Sequence, residues 1–282
     1  MPIFDTPTPI SATVDIIAGD IRVIASDRAD TVVVVRPRDE SNELDVKTAA
    51  QTRVDYAEGK LTVKSPKPLQ VYFSSKSATV DVTVELPSGS HLRGTTAHGD
   101  LVCEGILGDC SFRTYDGDIS LYQTASVRLT TMNGRITVDR VAGDAHVTGS
   151  GEVQLTEVGG AANVKNLNGP SWIGQAGGAV HVNSADGDIT IERAGPEVVA
   201  RTANGSVRLS DVAQGSAVLQ SASGEIEVGI HHGTAAWLDV KSSSGTVRNE
   251  LESGSGPEGP EQTVQVKART WAGDIVIRRA TA

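Results

Sequence analysis

Two pairs of carboxylates in this chain have a spacing that could do acid–base chemistry: Asp116 with Asp118, and Asp186 with Asp188. Two carboxyls at roughly 5–10 Å in unlike environments are what glycoside cleavage requires. Each pair flanks a turn glycine, however, and is explained by turn propensity and solvation. The Gly-Asp steps at Gly99, Gly117, Gly187 and Gly273 raise a second chemistry, calcium binding in β-rolls. Such rolls need a nine-residue period and a G-G-x-G-x-D loop, and neither occurs. The positions equivalent to those aspartates hold Arg135, Glu152, Pro170, Ser206, Glu225 and Thr246, a column unsuited to a metal ladder. His231-His232 is the one histidine cluster and has no cysteine or acid at ligand spacing. A corner-filling or solvated pair is expected there. Cys103 and Cys110 are expected to be buried thiols rather than a redox pair. Gly149-Ser150-Gly151 falls in register with the turns, and no phosphate-binding or dinucleotide fingerprint occurs. No catalytic residue, cofactor or metal is therefore expected.

The elements that carry these residues follow from one repeated phrase. A glycine, usually preceded by a small polar residue, is followed by an apolar-x-apolar step at Gly19, Gly99, Gly117, Gly134, Gly151, Gly169, Gly187, Gly205, Gly224, Gly245 and Gly273. The spacings from Gly99 to Gly205 are 18, 17, 17, 18, 18 and 18 residues. Three residues before the glycine stand Thr96, Thr114, Thr131, Thr148, Asn166, Ser184, Thr202, Ser221, Ser242 and Thr270. Apolar residues two apart on both sides of the turn read as half-buried strands. Each period is then strand, glycine turn, strand and a looser corner. Shared chemistry at every turn favours a β-solenoid over an antiparallel meander, because parallel stacking sets like residues one rung apart. Ten coils of about 17–18 residues would make a rod of roughly 45–50 Å. No window shows a helical period.

Composition agrees with a narrow aliphatic interior: 38% of residues are hydrophobic but only 4% aromatic. Residues 1–90 are less periodic and read as a β-rich N-terminal cap, with solenoid repeats over 91–282. The Gly/Ser/Pro/Glu stretch at 250–262 reads as a protruding loop, after which Thr263 to Arg278 is expected to close the rod. The start of the chain lacks a basic segment followed by an apolar one, and no apolar run is long enough to span a membrane. A cytoplasmic location is the expectation. A net charge of −10 argues against a nucleic-acid partner. Basic residues such as Arg128, Arg135, Arg193, Arg201 and Arg208 are interspersed with acids, so a mixed surface is expected rather than a basic stripe.

Several segments together resemble the bacterial toast-rack, or "putative adhesin", β-strand repeat family of unknown function, in the soluble form common in actinobacteria. They are Pro9-Ile10, Ala18-Gly19-Asp20-Ile21-Arg22-Val23-Ile24-Ala25, Thr31 to Pro37, the repeated x-x-G-D-I-x-V units and Ala272 to Arg279. The resemblance covers essentially the whole chain. It implies a β-solenoid and no assigned catalytic residues. Other members are attached to transmembrane modules linked to envelope-stress signalling, and that role does not transfer intact to a chain without such a module.

Three places break the period and are the expected contact surface: Trp172, His231-His232 and the loop at 250–262. Trp172 stands in an outward column otherwise filled by Ser120, Thr137, Gln154, Thr190 and Arg208. The expectation is a one-residue register shift that buries it; the alternative is an exposed contact residue. The functional reading is a non-enzymatic scaffold presenting an extended surface to a macromolecular partner, a protein first, in envelope-stress or regulatory signalling. The alternative is a carbohydrate-binding or carbohydrate-cleaving β-helix protein, with Trp172 or Trp237 as an aromatic subsite.

Overall fold

Alternation of apolar and polar residues produces strands that bury every second side chain, and stacking these strands in parallel makes a β-solenoid. The computed structural model describes residues 2–66, 78–251 and 262–281. Two compact units divide the chain, residues 1–140 and 141–282.

The first unit contains β1 (Ile3–Asp5), β2 (Ser11–Asp15), β3 (Ile21–Ser26), β4 (Asp30–Pro37), α1 (Glu43–Gln51), β5 (Arg53–Ala57), β6 (Lys60–Lys64), β7 (Val80–Pro87), β8 (His91–Thr95), β9 (Leu101–Asp116) and β10 (Ile119–Asn133), with β11 (Ile136–Val141) at its end. The coil around Gly19 does not stand first in the stack. Its strand β2 lies between β6 and β8, and β3 lies between β7 and β9, all in parallel. Outside this coil the pairing turns antiparallel, with β4 against β7, β1 against β4, and β5 against β6. Antiparallel strands and a helix cover the edge that a parallel stack would otherwise leave open.

Helix α1 has no counterpart in the sequence reading. Its only buried residue is Asp45, while Leu44 and Val46 face solvent. Asn42 caps it by accepting a bond from Leu44 N. Asp45 accepts from Thr79 N at 3.0 Å, Asp39 N at 3.2 Å and Asn42 Nδ2 at 3.2 Å. A helix docked by a buried carboxylate leaves no apolar period to read.

The second unit contains β12 (Ala145–Gly149), β13 (Val153–Val158), β14 (Ala162–Asn168), β15 (Ser171–Ala176), β16 (Val180–Asp186), β17 (Ile189–Arg193), β18 (Glu197–Asn204), β19 (Val207–Val212), β20 (Gly215–Ser223), β21 (Ile226–Ile230), β22 (Thr234–Ser244), β23 (Val247–Asn249), β24 (Gln262–Ala272) and β25 (Ile275–Arg279). The strands before the turn glycine pair in the order β12–β14–β16–β18–β20–β24–β22. Those after it pair in the order β13–β15–β17–β19–β21–β25–β23. The C-terminal coil β24–β25 therefore does not close the stack. It is inserted between β20–β21 and β22–β23, which leaves β22–β23 outermost. The core columns explain the choice: Val264, Val266, Ala268, Ile275 and Ile277 are fully buried, whereas Val247 and Asn249 are exposed. The more apolar coil takes the covered place. The loop expected over 250–262 lies, apart from its ends, outside the described residues.

At several turns a hydroxyl of one coil bonds a glycine carbonyl of the neighbouring coil. Thr131 Oγ1 donates to Gly117 O at 3.1 Å, Thr202 Oγ1 to Gly187 O at 3.2 Å, Thr270 Oγ1 to Gly224 O at 3.0 Å and Ser242 Oγ to Gly273 O at 2.8 Å. Glycine is required here twice over. Gly117 has φ of 151°, and a Cβ on it would collide with the carbonyl of Gly99. Thr148 departs from the ladder: it is exposed, and Gly149 takes the buried position, because Thr148 registers with Lys165 and Gly149 with Asn166.

Candidate functional site: a cationic groove in the second unit

Along β12, β14, β16, β18, β20, β24 and β22, parallel stacking without register shifts turns sequence positions into columns on the outer face of the second unit. One outward column runs Thr148, Lys165, Asn183, Arg201, Gln220, Arg269, Lys241. Rungs are about 4.8 Å apart. Four of the seven are cations and none is an acid, although the protein carries 35 Asp and Glu against 25 Lys and Arg. The neighbouring column contains Ala203, Ala222, Trp271 and Ser243, placed between the ladder residues Thr202, Ser221, Thr270, Ser242 and the turn residues Asn204, Ser223, Ala272, Ser244. Small alanines beside long arginines leave a trough. The resulting groove has a volume of about 670 Å³ and is lined among others by Arg201, Ala203, Ala222, Lys241, Arg269 and Trp271. Among the described residues no carboxylate lines it.

Within the groove Arg201 Nε donates to Gln220 Oε1 at 3.0 Å, which ties two neighbouring rungs of the column together. Arg269 Nη2 reaches Asp239 Oδ2 at 3.2 Å, outside the lining. Trp271 is 72% exposed, its indole unsupported by burial. Exposed tryptophan beside arginine is a common composition of contact surfaces, since both offer area and directional bonding. The groove can bind and orient an anionic group; it holds no nucleophile–base pair.

The residues singled out by sequence have other positions. All ten turn glycines from Gly99 to Gly273 have positive φ, but the hydroxyl bond is missing at two rungs: Thr148 is exposed, and Ser184 Oγ is buried without a partner among the described residues. The carboxylate pairs are held by the turns: Asp118 Oδ1 accepts from Arg135 N at 2.7 Å and Asp188 Oδ1 from Ser206 N at 2.7 Å. Asp116 Oδ1 accepts from Asn133 Nδ2 at 2.9 Å and Asp186 Oδ1 from Asn204 Nδ2 at 2.6 Å. Each such bond ties one coil to the next. Asp274 does the same for Thr246 N at 2.8 Å, and that bond with Arg248 holds its carboxyl below the usual range. Ser150 serves the turn by accepting from Asn168 Nδ2 at 3.1 Å. Among the described residues no group of three or more metal-ligating side chains occurs.

Trp172 corrects the expectation of a register shift. Ser171 keeps the buried column between Val153 and Ile189, and Trp172 stays outward between Gln154 and Thr190. The serine is tolerated in the core because Asn166 replaces the ladder threonine and its Nδ2 reaches Gly151 O, Gly169 O and Ser171 Oγ at 2.8, 3.0 and 3.2 Å. The indole folds over Gly174, is half-buried, and donates from Nε1 to Glu192 Oε1 at 3.2 Å.

His231 and His232 sit at a corner. His231 Nδ1 is 2.9 Å from Asp211 Oδ1, an acid 20 residues earlier that chain spacing did not bring near, and His232 Nε2 is 3.1 Å from Ala280 O. Arg193 shares Asp211 at 3.6 Å. Cys103 and Cys110 are free and buried, and burial pushes the Cys103 thiol well up, with Cys110 beside it adding to the effect.

The sequence reading missed Lys165, Arg201, Lys241, Arg269 and Trp271 as a set. The signal was present four residues before each turn glycine, where Lys165, Asn183, Arg201, Gln220, Lys241 and Arg269 stand. Charge interspersion along the chain hid it: Arg193 and Arg208 do face acids, Asp211 and Glu227, but on other strands.

The Toastrack DUF4097 model matches residues 12–279, and the chain belongs to that family. A comparison with curated proteins returns no match. Similar solved structures include a "putative cell adhesion protein" of Clostridium sporogenes, at 9% identity and TM-score 0.29 over 99% of this chain and 98% of that one. A "putative adhesin" of Bacteroides fragilis has 14% identity and TM-score 0.35 over 98% and 95%. A "putative lipid binding protein" of Parabacteroides distasonis has 13% identity and TM-score 0.41 over 98% and 95%. At these scores nothing functional passes from those proteins to this one.

Proposed function

We propose that the protein is a non-enzymatic interaction scaffold that holds a macromolecular partner along the face of β14, β16, β18, β20, β24 and β22, with an anionic part of the partner in the groove. One observation carries this reading: a single outward column of an acidic protein gathers Lys165, Arg201, Arg269 and Lys241 with no acid among them. Aligned cations repel one another and attract a complementary charge. A protein partner is the first expectation, in a cytoplasmic regulatory or envelope-stress setting that the captured partner would name. A carbohydrate is the second, favoured by Trp271, whose exposed indole beside amides and arginines suits a sugar face. Cleavage of that carbohydrate is not part of the reading, since among the described residues no carboxylate lines the groove.

The test is crosslinked co-purification of the tagged protein from its native cells, with Arg201→Glu/Arg269→Glu and Trp271→Ser run beside it and Trp172→Ser as a control. A partner lost with the groove variants and kept by the control supports the proposal. A partner kept by all of them refutes the groove as the contact surface, and copurifying glycans instead of protein select the second reading.

A further inference from the structure

Strand β22 pairs with β24 along Thr234–Ser244, and among the described residues its other edge is unpaired. The core is open at the same place. Ala236, Leu238 and Val240 point inward yet are only half-buried, whereas their counterparts on β24, Val264, Val266 and Ala268, are fully covered. Trp237 beside them is 74% exposed and Val247 on β23 is 42% exposed. An eleven-residue edge with an apolar end behind it is the surface that β proteins usually cover or blunt. In the first unit that task is done by antiparallel strands and α1. Residues 252–261, which link β23 to β24 in the chain, contain Pro257 and Pro260 but no Ala, Val, Leu, Ile, Met or aromatic residue.

We infer that the β22 edge is a self-association surface, and that it pairs antiparallel with the same edge of a second copy about a two-fold axis. Charge decides the occupant. Outward along β22 stand Trp237, Asp239, Lys241 and Ser243, all exposed. An antiparallel two-fold pairing centred on Val240 places Asp239 opposite Lys241 of the second copy, and Lys241 opposite its Asp239. The same register sets Val240 against Val240 on the core side and Trp237 against Ser243 on the outer side. Opposite charges directly across a pair of strands stabilise it, and like charges do the reverse. A closed isologous contact of this kind stops at two copies. The contact adjoins the groove: Lys241 lines both, and Asp239 also pairs with Arg269 on β24.

Sedimentation velocity of the full chain, over a range of concentrations, tests the inference. The wild type is expected to be dimeric. Asp239→Lys sets lysine opposite lysine twice and is expected to give monomer at the same concentrations. Asp239→Lys/Lys241→Asp restores opposite charges and is expected to restore the dimer, which a merely misfolded edge would not do. A monomeric wild type overturns the inference, as does a dimer indifferent to the single change. Monomer in both variants also counts against the register, provided their circular dichroism matches the wild type.

Discussion

The bond from a threonine hydroxyl to a glycine carbonyl is the smallest repeated device in the fold. Because Thr202 is buried and its hydroxyl reaches Gly187 O, Thr202→Val exchanges a satisfied acceptor for an unmet one. A loss of about 1–2 kcal/mol in urea unfolding is expected. The Asn166–Ser171 pair predicts the opposite sign. Asn166 Oδ1 is buried without a partner, and Ser171 occupies a column of valine and isoleucine. Asn166→Thr with Ser171→Val is expected to raise stability by about 1 kcal/mol, and the two changes are expected to be non-additive in a double-mutant cycle. Asp274 is held below its ordinary value of 3.8 by Thr246 N and Arg248. Its contribution is thus fully present above that unfolded value and lost as pH falls through the lower folded one. Asp274→Asn is expected to lower stability at neutral pH and to flatten the acid limb below about pH 4, where the protonated wild type and the variant converge. At this scale the sequence was transparent, since turn chemistry is local. Trp172 was the exception: which side of a strand a residue takes depended on Asn166 accommodating a serine in the core, a contact five residues away.

Elements were legible where their pattern was apolar and opaque where it was polar. The parallel coils of the second unit follow from apolar residues two apart and a glycine at each turn. Helix α1 does not, because Asp45 rather than an apolar stripe anchors it. Asp45→Ala is expected to cost about 2–3 kcal/mol, since it strands the N–H groups of Thr79 and Asp39. Faster amide exchange confined to α1 and the residues near Thr79 would be the signature; uniform exchange along the first unit would contradict it. The position of β24–β25 was equally hidden. Coil order in the chain suggested a closing coil, yet burial of Val264, Val266 and Ala268 places that segment inside the stack and leaves β22–β23 outermost. Strand periodicity shows which face is buried but not which neighbour covers it.

For the whole molecule, function was the least legible level. The groove depends on Arg269 lying between Gln220 and Lys241, an adjacency that exists only because the last coil is inserted. A partner held by this column is expected to be released by raised salt, because exposed charges are screened over about 8–10 Å at physiological ionic strength. The exposed β22 edge is expected to respond less to salt, since strand pairing and apolar contact add to its charges. Lysine acylation in intact cells compared with the purified protein tests the central claim most directly. Lys165 lies in the cationic column, and Lys60 and Lys64 lie on β6 in the first unit. The account predicts that Lys165 is protected in cells and reactive when purified, while Lys60 and Lys64 react equally in both. Equal labelling of Lys165 in the two settings would contradict a partner on this face.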